Sequence, residues 1–279
     1  MSPSAHSPIG VFDSGVGGLT VLRALMARLP HESTLFLGDT ARVPYGTKSG
    51  EVVTRYALAN GRFLAERGVK LLVVACNTAS AVAVEAMASA LPVPVLGVIE
   101  PGAHAAAAKT ASGKVGVIGT PGTIRSGAYE RALRRARPDV QVSARACPLF
   151  VPLAEEGWTE GDVPRLAAER YLRELAGVGV DALVLGCTHY PLLKGVIGEV
   201  MGPQVALVDS AEAVAEAAFE ALASTGMLAP PPAEGHAPEH AYFVTDVPER
   251  FVEVAARFLG RPVTHAEQVD ISPVPAPAG

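Results

Sequence analysis

The chain has 279 residues, 49% of them hydrophobic and 18% charged, which excludes global disorder and allows one large domain or two of ordinary size. A net charge of −5 argues against nonspecific phosphate binding, and so against a nucleic-acid partner. Three cysteines, Cys76, Cys147 and Cys187, are an odd count without close spacing, so neither a disulfide framework nor a zinc site is expected.

Apolar runs of strand length alternate with longer segments of helical period. Ile9–Phe12 reads as a strand and 18–29 as a helix, with Leu19, Leu22, Leu25, Met26 and Leu29 on one side. Strands then fall at 34–37, 71–75 and 93–97, and helices at 49–67, 79–90 and 101–111. A second series follows. Strands are expected at 115–118, 141–146, 182–185 and 205–208, and helices at 123–135, 163–176, 192–201 and 211–224. Arg131, Arg134, Arg135 and Arg137 have the spacing of a solvated helix face. The proline-rich stretch 227–240 reads as a surface loop, followed by a short strand and the helix 248–259. The last residues, SPVPAPAG, are expected to fray.

Such alternation predicts an α/β fold of parallel sheets flanked by helices. IGVFDSG at residue 9 echoes VGVIGTP at residue 115, and VKLLVVACNT at residue 69 echoes VDALVLGCTH at residue 180. Matched motifs at nearly equal offsets point to two similar domains. The expected division is 1–98 plus 209–279 for the first and 99–208 for the second, with the site in the cleft between them. The N-terminus shows no basic region followed by a long apolar run, and no segment reaches the roughly 18 apolar residues of a membrane span. A reducing cytoplasm, where thiols stay free, is the expected location.

Open parallel sheets gather ligands at the carboxyl ends of their strands. The residues there are Asp13 and Ser14; Gly38 and Asp39, leading to Tyr45 and Gly46; Cys76, Asn77 and Thr78; Thr120 and Thr123; Pro152 to Glu156; and Cys187, Thr188 and His189. The loop GVFDSGVGGLTV lacks an in-register GxGxxG and a Walker lysine, which favours a substrate carboxylate over a nucleotide phosphate. One thiol after a strand is usually a small core hydrophobe, and Cys147 fits that description. Two thiols at matched positions of matched halves suit different chemistry, in which one takes a proton from one face of a carbon and the other returns a proton to the opposite face. A free thiol titrates near pH ~8.5 and can act as acid or base. Asp13 is placed to serve Cys76. His189 is placed to serve Cys187, provided a turn aims it inward.

The set IGVFDSGVGGLTV, GDTARVPYGTKS, VVACNTASA, GVIEPG, GVIGTPGTIRSGAY, CPLFVPLAEEG and VLGCTHYPLL, in this order, resembles glutamate racemase, from the start of the chain to about residue 260. The resemblance implies a cofactor-independent enzyme that supplies D-glutamate for peptidoglycan. It implies Cys76 and Cys187 as catalytic groups with Asp13 and His189 as their partners. It adds Glu155 on the second side, with Glu156 as the competing register. Asp13-Ser14, Tyr45-Gly46, Asn77-Thr78 and Thr188-His189 match its substrate-binding pairs, with Thr120 and Thr123 as further contacts. Members often pair as homodimers. A pyridoxal cofactor would need a Schiff-base lysine, and none of Lys48, Lys70, Lys109, Lys114 and Lys194 stands at a predicted strand end. No cluster of metal-ligand spacing is present in the sequence. The alternatives are an aspartate or related two-thiol racemase, and a binding protein for an acidic amino acid.

Overall fold

The computed structural model describes residues 3–231 and 237–271. Its order is β1 (Ile9–Asp13), α1 (Leu19–Arg28), β2 (Thr34–Gly38), α2 (Gly50–Glu66), β3 (Leu71–Val74), α3 (Asn77–Ala90), β4 (Val95–Gly97) and α4 (Ile99–Lys109). Then come β5 (Lys114–Gly119), α5 (Pro121–Ser126), α6 (Ala128–Ala136), β6 (Gln141–Ala146), α7 (Phe150–Glu155), α8 (Asp162–Val178), β7 (Ala182–Gly186), α9 (Lys194–Met201) and β8 (Ala206–Asp209). The chain closes with α10 (Ser210–Ser224), β9 (His240–Val244), α11 (Pro248–Leu259) and β10 (Glu267–Gln268).

Two sheets form, and every strand pair in both is parallel. The first has the order β10-β9-β2-β1-β3-β4, and the second β6-β5-β7-β8. The inner order β2-β1-β3-β4 is therefore repeated in the second sheet, strand for strand. That repeat places Cys76, after β3, and Cys187, after β7, at equivalent corners. The central strands IGVFD, LLVV and ALVLG are buried along their whole length, because helices cover both faces.

Four apolar clusters fill the space between layers. Apart from Ala154, the buried residues of two of them come from 9–98 and 211–271. Those of the other two come from 99–208. Each fully buried Leu, Ile or Phe contributes roughly 1.5–3 kcal/mol by leaving water. After β8 the chain returns to the first sheet through α10, which packs on α1. Helix ends are fixed locally: Ser49 caps α2 by accepting from the Val52 amide at 3.3 Å, and Asp209 caps α10 by accepting from Ala211 at 2.9 Å.

The helix expected over 123–135 is two helices. Gly127 takes a left-handed φ of 63° between them, a conformation glycine adopts without strain. The segment after β6 is the short helix α7, with Glu155 as its last residue. The arginine cluster on and after α6 is largely spoken for by acids: Arg134 pairs with Glu130 at 2.7 Å, Arg137 with Asp139 at 3.2 Å, and Arg135 with Glu100. Part of the loop 227–240 and the final SPVPAPAG, 272–279, lie outside the described residues. No helix among the described residues is long and apolar enough to cross a membrane.

Candidate active site

The carboxyl ends of both sheets face one cavity of about 70 Å³. Ser14, Tyr45, Gly46, Cys76, Asn77 and Thr78 line it from the first half. Thr120, Glu155, Cys187, Thr188 and His189 line it from the second. Asp13 and Thr123 stand directly behind this lining through hydrogen bonds to it.

Each thiol has a different setting. Cys76 is the N-cap of α3, so its thiol sits at the positive end of that helix's dipole. Its Sγ lies 3.4 Å from Ser14 Oγ. Burial, and the Asp13 carboxylate next to it, push the Cys76 thiol up to about 12, against the opposing pull of Ser14 and the Ala79 amide. Ser14, rather than Asp13, is thus the direct hydrogen-bond partner of this sulfur. Asp13 is fully buried, and its Oδ2 accepts from the Gly15 amide at 2.9 Å. Its Oδ1 has no hydrogen-bond partner among the described residues. Burial raises the Asp13 pKa, and the charge on His189 opposes that rise.

Cys187 has no α-helix behind it. The chain turns after β7, and that turn directs His189 inward with Nδ1 3.8 Å from Cys187 Sγ. Thr188 Oγ1 lies 3.4 Å from the same nitrogen. On the ring's far side, Nε2 meets Glu155 Oε1 at 2.9 Å. Burial disfavours the imidazolium, but Cys187 and Glu155 together overcome it and raise His189 to about 10. The hydrogen bond from His189 holds the Glu155 pKa down in turn. Glu156, the competing register, is exposed at the C-cap of α7. Phe258 packs edge-on against the His189 ring at 5.2 Å between centroids.

The halves touch through small groups. Thr78 Oγ1 lies 2.9 Å from Thr120 Oγ1 and 3.2 Å from Thr123 Oγ1, a three-hydroxyl cluster across the boundary. Thr20 donates to the Thr188 carbonyl at 2.9 Å. Gly46 must be glycine here, because a Cβ would lie 2.7 Å from Thr120 Cβ. The Tyr45-Gly46 turn is held from below by buried Asp39, which accepts from the Tyr45 hydroxyl, from Asn60 at 3.1 Å and from Thr245 at 2.9 Å.

Of the residues singled out at the strand ends, Ser14, Tyr45, Gly46, Cys76, Asn77, Thr78, Thr120, Glu155, Cys187, Thr188 and His189 line this cavity. Asp13, Asp39 and Thr123 are bonded to its wall, whereas Gly38, Pro152, Leu153, Ala154 and Glu156 do not line it. Pro44, just ahead of Tyr45, lines it as well, and so do Val43 and Val151, which carry no polar group to mark them. Tyr129, bonded to Asn77, stands at no strand end. The available signal was a phenol on the apolar stripe of α6, beside Ala132 and Leu133, since a buried hydroxyl needs a partner. Among the described residues, no group of three or more His, Cys, Asp or Glu is placed to hold a metal ion.

The model of the family described as Asp/Glu/Hydantoin racemase matches residues 19–218. The chain belongs to that family. As a racemase it is an isomerase. It is 59% identical over 263 residues to a glutamate racemase of Geobacter metallireducens, covering 94% of this chain and 96% of the relative. A glutamate racemase of Syntrophus aciditrophicus is 53% identical over 270 residues, covering 97% and 98%. Among solved structures, glutamate racemase from Francisella tularensis subsp. tularensis, crystallised with D-glutamate, superposes with a TM-score of 0.88. It is 37% identical, covering 95% of this racemase and 98% of that chain.

Proposed function

We propose that this racemase interconverts L- and D-glutamate by a two-base mechanism without a cofactor, supplying D-glutamate for peptidoglycan. The observation that carries the reading is the shared cavity: Cys76 and Cys187, from equivalent strand ends of two sheets with the same order, line one small space. The closely similar glutamate racemases support glutamate as the substrate. Residues 1–98 with 209–279, and residues 99–208, are read as the two domains. Their separate apolar clusters support that division.

In the arrangement described, Cys76 holds its proton while Cys187 faces the His189 imidazolium. Cys187 takes the α-proton from one enantiomer, and its S–H bond forms as the Cα–H bond breaks. Cys76 gives its proton to the opposite face of the same carbon. The turnover ends with Cys76 as thiolate and Cys187 as thiol, and the reverse reaction restores the start. Negative charge that develops on the substrate needs fixed donors in a dry site. The amides at the start of α3, the hydroxyls of Ser14, Thr78, Thr120 and Thr188, and the Tyr45-Gly46 turn surround the cavity to supply them. Asp13 serves the Cys76 side, and His189 with Glu155 serves the Cys187 side. The enzyme works as a homodimer in the cytoplasm, where its three free thiols stay reduced.

Circular dichroism of purified protein incubated with either glutamate enantiomer, with no cofactor added, tests the reading. The signal should decay to zero from both directions. Cys76→Ser and Cys187→Ser should each bind glutamate yet lose racemisation by about 10²–10⁴-fold, the usual worth of one acid/base group. Decay with aspartate alone would assign the other substrate. Undiminished racemisation in both variants would end the two-base scheme.

A further inference from the structure

Tyr129 belongs to α6 in the second half, yet its hydroxyl donates a 2.6 Å hydrogen bond to Asn77 Oδ1 in the first. The contact is tight on every side. A Cβ on Gly186 would lie 3.0 Å from Tyr129 Cε2, and one on Gly102 would lie 3.3 Å from the hydroxyl oxygen. Ser210, at the start of α10, also faces the hydroxyl. Burial raises the pKa of the phenol, which keeps its proton and stays a donor.

A carboxamide has one accepting end and one donating end. A hydroxyl that donates to Asn77 Oδ1 decides which end faces which way, and turns Nδ2 aside from Tyr129. That nitrogen is buried and has no hydrogen-bond partner among the described residues. Asn77 is 2% exposed, follows Cys76 directly and lines the cavity between the two thiols. A buried N–H without an acceptor is unfavourable until a ligand supplies one. The ligand of this cavity, on the reading above, carries carboxylate oxygens, which are acceptors only.

We propose that Tyr129 is a positioning residue for the substrate: its hydroxyl locks the Asn77 carboxamide so that Nδ2 donates to a carboxylate oxygen of the bound amino acid. This role rests on the two-thiol racemase reading of the cavity. It also ties substrate binding to the seating of one half on the other, because donor and acceptor come from opposite halves. The cysteines, which move the protons, are untouched by it. Loss of the hydroxyl should therefore weaken binding far more than it slows proton transfer.

The test is a double-mutant cycle on the full chain, with kcat and KM measured for both glutamate enantiomers. Tyr129→Phe keeps the ring and removes only the hydroxyl. It should raise KM about fivefold for both enantiomers, the worth of one neutral hydrogen bond, with kcat nearly unchanged. Asn77→Ala should raise KM at least as much. In the Asn77→Ala background, Tyr129→Phe should have no further effect on KM. Glutamate should also raise the melting temperature of Tyr129→Phe less than that of the wild type, a readout independent of turnover. Equal losses from Tyr129→Phe in both backgrounds, or an unchanged KM in the single variant, would overturn the role while leaving the two-thiol reading intact. A wild-type enzyme that racemises no glutamate would remove that reading and this role together.

Discussion

His189 Nε2 lies 2.9 Å from Glu155 Oε1, so a partly exposed carboxylate at the end of a six-residue helix joins Cys187 in favouring the charged form of a buried imidazole. The same ring reaches Cys187 through Nδ1 at 3.8 Å. With both partners present, His189 is raised to about 10. Replacing Glu155 with Gln keeps a hydrogen-bond acceptor and removes the charge. An opposite charge at this distance moves a pKa by about one to three units. The alkaline limb of the kcat/KM profile should then move to lower pH by at least about one unit in Glu155→Gln. A limb that stays in place would show that His189 does not draw its charge from Glu155.

The same shift has a consequence for stability. His189 binds its proton more tightly in the folded chain than in the unfolded one, whose value is the ordinary 6.5. The stabilisation is complete below that value and is lost as pH rises through about 10, since in this window the folded state holds the extra proton. Melting temperature measured across that window should fall more steeply for the wild type than for His189→Asn. Parallel curves would contradict the assignment.

Much of this arrangement was legible in the chain because parallel strands are long apolar runs with their ligand groups at one end. The strand expected at 141–146 and the helix expected at 248–259 have those same bounds in the fold. Cys76 and Cys187 stand at matched positions of the sequence, and the matched strand orders give that echo its physical cause. Other features rest on contacts between residues far apart in the chain. Helix α7 is too short for a period to show and contains Pro152, so the choice between Glu155 and Glu156 needed the position of His189. The break at Gly127 depends on a single left-handed residue inside an otherwise helical pattern. Ser14 as the hydrogen-bond partner of Cys76 is set by the loop after β1 and has no signature in spacing.

Gly17 marks how closely the halves approach. A Cβ there would lie 2.5 Å from His189 Cε1 and Nδ1, and closer still to Thr188 Oγ1. Gly17→Ala must push the Thr188-His189 turn away from the cavity. Misplacing a reacting group by about 1 Å can cost 10²-fold. The variant should lose about that factor in kcat/KM, and its melting temperature should change far less than its activity. Activity within about twofold of the wild type would mean that the turn tolerates displacement.

At the opposite ends of the strands, Lys70 and Glu32 form an ion pair removed from solvent, with Nζ 2.5 Å from Oε2. Lys70 also donates to the carbonyls of Ala5 at 2.6 Å and Met227 at 2.8 Å, while Glu32 accepts from the Ala229 amide at 2.8 Å. The pair thus gathers the start of the chain, the α1–β2 connection and the segment after α10 at the foot of β3. Lys70→Met fills the space but strands a buried carboxylate, which costs about 3–5 kcal/mol. Lys70→Met combined with Glu32→Gln removes both charges and should recover part of that loss. Urea denaturation of the two variants measures this directly. Activity per folded molecule should be unchanged in both, because the pair lies at the amino ends of the strands and the thiols at the carboxyl ends. A single variant as stable as the wild type would show that the buried carboxylate finds another partner.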